Sequence, residues 1–256
     1  FWQVMCLAVI DEIRYKNTIM LYSRRQTLFY LTALPFLASG CGIRALPPVQ
    51  TEKLLGLQRS PQLRPITVGQ SWRYVQRNGF NSEVVREIDE VARITDQQII
   101  LERSSAGQAL APEIQARTGG LLQDPYWDFV QIYDQALTVW PQSLDPGRGA
   151  VLNTRYRIPD FSYTFWIQTQ LRVIAWEKIQ VAAGTFTSLH LQRFYRLDHY
   201  DFTRISTTRY DDYWFVPEIG RWVMRETRGE FRRSGQRLMD AQYEDHFRYE
   251  LVKMQV

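Results

Sequence analysis

The chain of 256 residues is long enough for one sizeable domain. Its 31 lysines and arginines against 27 acids give a net charge of +4, too small to argue for nucleic acid or an anionic surface as a partner. The two cysteines, Cys6 and Cys41, exclude a disulfide-stapled scaffold, so a folded domain has to rest on its core.

Residues 1–19 are expected to be an upstream extension outside the native protein and do not enter the fold reasoning. Met20 to Cys41 has the parts of an export signal in order. Arg24 and Arg25 make a short positive region. Leu28 to Leu37 is an apolar run broken only by Thr32 and Pro35, and Ala38, Ser39 and Gly40 are small enough for a peptidase cleft. The run falls well short of the roughly 20 residues a spanning helix needs. No later run is long and apolar enough to span a membrane either.

Leu37-Ala38-Ser39-Gly40-Cys41 resembles the lipobox of bacterial lipoproteins, with Ala38 where that family most often has Leu. The resemblance implies a signal peptide at 20–40, cleavage after Gly40, and acyl chains, palmitate among them, on Cys41. Several chains anchor a protein stably where one holds it weakly. Gly42, rather than Asp, follows Cys41, and in families with that sorting rule this implies the outer membrane, facing the periplasm. Ser23-Arg24-Arg25-Gln26-Thr27-Leu28 also resembles a twin-arginine export motif, with Thr27 in place of the usual aromatic. Four basic and two acidic residues precede Cys41, which leaves +2 on the remainder.

Residues 41–65 read as the lipidated Cys and a flexible tether rich in proline, with a short helix over Thr51 to Leu57. At about 3 Å per extended residue such a tether would hold the domain tens of ångströms from a bilayer.

A β-rich domain is expected over 66–256. Gln70 to Gln76, Ser82 to Thr95 and Gln98 to Arg103 read as a meander, with a turn at Asn78-Gly79. Ser104 to Gly120 reads as a loop. Asp124-Pro125 looks like a helix start, and Tyr126, Phe129, Val130, Tyr133 and Leu137 follow at helical spacing. Phe161 to Val181 alternates with period two. At about 3.3 Å per residue it would run roughly 70 Å if straight, so it must curve or carry a bulge. Leu189 to Leu197, Arg204 to Val216, Arg221 to Arg232 and Asp240 to Met254 continue the alternation. Pro217-Glu218-Ile219-Gly220 reads as a hairpin loop with Gly at positive φ. The sum is a mainly β fold: a single strongly curved antiparallel sheet or half-barrel with one or two short helices. Val181 to Phe186, followed by Leu189, Leu191 and Arg193, and the stretch Tyr213 to Val223 resemble a turn and hairpin of uncharacterised Gram-negative envelope proteins with curved antiparallel sheets. That resemblance covers Gly149 to Phe231 and implies a fold, similar in outline to lipoprotein carriers, and no activity.

Candidate chemistry is sparse. Asp198, His199 and Asp201 sit together at a strand end and could bind a metal ion or support hydrolysis, though such polarity is common at strand ends. His190 and His246 fall on polar strand faces. Asp211 and Asp212 near Glu226 or Glu230 could form paired carboxylates, with solvent-face charge pairs as the plainer reading. No nucleophile elbow, phosphate loop or cofactor motif is present. Trp166, Trp176, Trp214 and Trp222 could line a concave apolar face for a ligand or partner. Arg172, Arg193, Arg209 and Arg225 would ring that face, and the helix at Tyr126 to Trp140 would cover it. The expected function is a membrane-anchored, non-catalytic binding or assembly factor for a lipid, another apolar ligand or an envelope protein. An envelope hydrolase using Asp198, His199 and Asp201, or a purely structural surface lipoprotein, are the alternatives. No catalytic residue, metal or cofactor is assigned.

Overall fold

A computed structural model describes residues 46–55, 61–235 and 240–255, and there the alternation of inward and outward side chains is realised as a succession of β-strands. The strands are β1 (Thr51–Lys53), β2 (Ser71–Asn78), β3 (Val84–Ile94), β4 (Gln98–Ser105), β5 (Gln108–Ala116), β6 (Gly120–Asp124) and β7 (Gln131–Thr138). They continue with β8 (Gly149–Arg157), β9 (Thr164–Val181), β10 (Gly184–Leu197), β11 (Arg204–Val216), β12 (Arg221–Arg233), β13 (Gln242–Tyr243) and β14 (Phe247–Gln255). Each strand from β2 to β12 pairs antiparallel with the next, and β14 inserts between β12 and β2.

The result is a closed barrel of 12 strands rather than the expected half-barrel. Closure rests on β14, whose two edges pair Tyr249 with Arg225 on one side and with Gln76 on the other. A closed sheet has no exposed edge in need of protection. Short β1 and β13 add to free stretches along β9 and β12.

The first meander and the 18-residue β9 are as the sequence implied, and β9 carries its bulge at Ile174, where Ala175 faces His190 and Val173 faces Leu191. Other expectations are corrected. The segment from Tyr126 to Leu137 is not helical; its second half is β7. Between Leu121 and Gln123 the register against β6 shifts, so β7 carries extra residues. That bulge interrupts simple alternation and mimics a helical repeat. The expected loop over 104–120 contains β5, which polar residues disguised because its inward side chains include Glu113 and Gln115. The only helical piece among the described residues is a 3-10 turn at Pro217–Ile219, closed by Gly220 at φ 67°.

Part of the stretch read as a tether is seated on the barrel. Arg248 Nη1 donates to Pro47 O at 2.6 Å, β1 pairs with Glu177–Ile179, and Leu54 N–H donates to Trp176 O at 2.9 Å. Thr51–Lys53 is therefore strand, not helix. The signal segment, including Arg24, Arg25, Leu37, Ala38, Ser39, Gly40 and Cys41, lies outside the described residues.

A barrel of 12 strands is too wide to be filled by small aliphatic chains, and long side chains occupy it. One apolar cluster gathers Trp72, Tyr74, Leu101, Leu191, Trp222 and Tyr249; a second gathers Tyr133, Leu137, Tyr156, Phe165, Ile167 and Tyr195. Buried charges connect them, with Arg193 lying between the rings of Tyr195 and Tyr213. The outer wall carries ion pairs in mid-strand: Arg73 pairs with Asp89 and Arg93 with Glu102, each at 2.6 Å.

Candidate functional site

Because the strands alternate in direction, β7 and β11 end where β8 and β12 begin, and this end of the barrel opens into a cleft of about 870 Å3. That volume lies within the range of small-molecule sites. Ile66, Ile99, Val139, Trp140 and Phe215 give the cleft an apolar lining, and Trp140 packs on Phe215 at 5.1 Å. Arg64, Arg117 and Arg148 also line it, and among the described residues no carboxylate does. Arg117 sits in the β5–β6 turn and Arg148 in the β7–β8 connection. Arg64 is held by its backbone: its N–H donates to Pro217 O at 2.8 Å, and its carbonyl packs against Gly220, where a Cβ would meet it at 2.6 Å.

Behind the cleft the barrel interior is a network of buried ions. Arg221 donates to both oxygens of Glu113 at 2.7 and 2.8 Å and to Glu90 at 2.8 Å. Arg225 reaches Asp211 at 2.5 Å and Asp124 at 3.2 Å, and Arg209 clasps Asp211 at 2.5 and 3.1 Å. Burial alone would raise the Asp211 and Glu113 pKa values, but the guanidiniums of Arg209 and Arg225, and of Arg221, outweigh it and hold both below the usual carboxylate range. Tyr126 dips inward from the β6–β7 connection. Its ring lies 4.2 Å from the guanidiniums of both Arg103 and Arg225, and its hydroxyl donates to Glu90. Buried charge survives only where paired and hydrogen-bonded, so these contacts fix the shape of the interior.

The residues singled out in the sequence are scattered. Of the four arginines, Arg193, Arg209 and Arg225 point into the barrel and Arg172 is on the outside. Trp166 stands on the outer wall, 37% exposed. Trp176 is buried beside Leu189, Trp222 packs on Tyr74 at 4.1 Å, and Trp214 stacks on His190 at 4.5 Å while donating to Glu177 at 2.8 Å. These four tryptophans share no common face, and none lines the cleft.

Asp211 and Asp212 point to opposite sides. Asp212 lies opposite Glu226 on the outer wall, but each is engaged, Asp212 by His190 and Arg228, Glu226 by His246 and Arg248. Burial would depress His190, yet its hydrogen bonds to Asp212 and Glu177 prevail and raise it to about 9. His199 accepts the Asp201 N–H at Nδ1 (3.0 Å), and its Nε2 faces Arg204 at 3.4 Å. Burial, with Arg204, pushes it down to about 4. Asp201 is taken up by Thr203, and Asp198 offers its backbone carbonyl to Tyr156. Among the described residues no three His, Cys, Asp or Glu side chains could hold a metal ion together.

The cleft was not legible because most of its lining comes from turns and connections, where period carries no information. The available signal was apolar residues within loop segments, Leu63 to Ile66 and Val139 to Pro141. No protein-family model matches the chain, and no curated protein matches its sequence. In structure it is similar to a candidate exported protein of Bacteroides fragilis with a YmcC-like fold, at 12% identity and TM-score 0.48, over 77% of this chain and 100% of that one. It is also similar to a candidate lipoprotein of Parabacteroides distasonis, at 10% identity and TM-score 0.46, over 77% of this chain and 100% of that one. A third similarity is to the hypothetical lipoprotein YmcC of Escherichia coli, at 12% identity and TM-score 0.41, over 72% and 84%.

Proposed function

We propose that this chain is a cell-envelope lipoprotein, anchored through Cys41 in the outer membrane on its periplasmic side, that binds an apolar ligand without acting on it chemically. The cleft carries the reading. It combines an apolar lining with a volume of about 870 Å3 at an open barrel end. Its three arginines, unopposed by any carboxylate among the described lining residues, suit a ligand with an anionic end. The lipobox-like residues and Gly42 support the anchor and its membrane. Arg248 holds the Pro47 carbonyl, so the chain is already seated on the barrel wall six residues after Cys41 in the sequence. Such a protein would work close to the bilayer.

Native mass spectrometry of protein purified from envelopes in mild detergent tests this. The wild type is expected to retain a lipid-like ligand. Ala150→Trp, at an exposed cleft position, is expected to lose it while the barrel stays folded. Ligand-free wild type, or equal occupancy in the variant, would remove the basis for the proposal.

A further inference from the structure

Five arginines are buried in the barrel interior, Arg103, Arg193, Arg209, Arg221 and Arg225, against four carboxylates, Glu90, Glu113, Asp124 and Asp211. Four of these arginines have a carboxylate partner. Arg193, 3% exposed, has none among the described residues; it donates to the Thr138 carbonyl and, at 3.4 Å, to the Tyr195 hydroxyl. A guanidinium does not lose its proton when buried, so the imbalance cannot be relieved by neutralising it. A lone buried charge is costly enough that a counter-ion is called for.

A cavity of about 20 Å3 lies where that charge is concentrated. Arg193, Arg221 and Arg225 all line it. Glu113 is the one carboxylate in its wall, and both its oxygens are already taken by Arg221. Arg221 also has a buried Nε with no hydrogen-bond partner. The space suffices for a single small species. Val139 and Phe215 line both this cavity and the cleft, so the cavity lies directly behind the cleft.

We propose that the cavity is a binding site for one monatomic inorganic anion of the halide class, which neutralises Arg193 and completes the interior. The site is independent of what the cleft binds. Sulfate and gluconate are too large for it.

The test uses the folded protein in sodium chloride, bromide or gluconate at equal ionic strength. Tm is expected to rise with chloride or bromide and not with gluconate. An anion bound only to the folded state favours it about 100-fold at 100 times its dissociation constant. Arg193→Met, which removes the unpaired charge, is expected to lose the halide dependence and so to separate the site from general salt effects. Crystals of the wild-type protein grown in bromide should show an anomalous peak between Arg193, Arg221 and Arg225. Should the variant fail to fold, that peak decides. Equal Tm in chloride and gluconate, a halide dependence that survives Arg193→Met, or a cavity with no anomalous peak would each overturn the proposal.

Discussion

Arg221 grips Glu113 through two parallel hydrogen bonds of 2.7 and 2.8 Å, and the same guanidinium reaches Glu90, so one β12 side chain ties β3 and β5 together inside the barrel. Paired charges in such a place are costly to separate, because each half is left without water or partner. Arg221→Met is expected to destabilise the fold by about 3–5 kcal/mol. Adding Glu113→Gln should recover part of that loss, with a coupling of about 0.5–3 kcal/mol between the two sites. Urea denaturation of the four members of the cycle measures both numbers. Additive losses would mean that the pair does not act as a unit.

His190 gives the outer wall a pH signature. Its ordinary value is 6.5, and Asp212 and Glu177 raise it to about 9 against the effect of burial. A raised folded value means that the charged form is bound more tightly when folded. The contribution is therefore complete below pH 6.5 and disappears as pH rises through about 9. It should be of the order of 3 kcal/mol. NMR titration of His190 is expected to show its midpoint near 9, and Asp212→Asn should move it down towards 6.5. A wild-type midpoint at 6.5 would contradict the geometry.

The sequence was readable where side chains obeyed one rule at a time. Period two located the β9 strand because Phe165, Ile167, Leu171 and Val173 are inward and their neighbours outward. It did not locate β5 or β7, because the barrel is wide enough to be filled partly with charge, so that inward positions hold Glu113, Gln115 and Gln131. The in-phase placing of Arg193 with Leu189, Leu191, Tyr195 and Leu197 was visible, but not that it meant burial without a carboxylate. Closure depends on the partners of β14, and strand partners at long separation leave no local trace. The cleft is lined mostly from connections and left even less.

Gly220 joins the fold to the cleft. It takes φ 67° after the 3-10 turn, where a side chain is strained, and an added Cβ would lie 2.6 Å from the Arg64 carbonyl oxygen. Backbone has little freedom to yield there. Gly220→Ala is expected to cost about 1–3 kcal/mol and to displace the Arg64 segment from the cleft wall. Thermal denaturation reads the first effect. Loss of ligand from the purified variant reads the second, and a variant as stable as the wild type would show that the turn tolerates a side chain.

The seated tether makes a prediction that separates the anchor from the contact behind it. If Cys41 is the anchor, Cys41→Ser is expected to leave the protein in the soluble fraction after the signal is removed, and the wild type is expected to sediment with membranes. A Cys41→Ser protein that stays with membranes would show that the anchor lies elsewhere. Leu54 packs on the core and its N–H bonds to Trp176 O, so Leu54→Asp should detach the segment without entering the barrel. Burying a leucine contributes about 1.5–3 kcal/mol, which corresponds to roughly 10–100-fold in local opening. Protease cleavage within Pro47 to Lys53 should accelerate by about that factor while the strands stay protected. On the proposed anchoring through Cys41, the Leu54→Asp protein should still sediment with membranes. Unchanged cleavage would mean that β1 is held by its pairing with β9 alone.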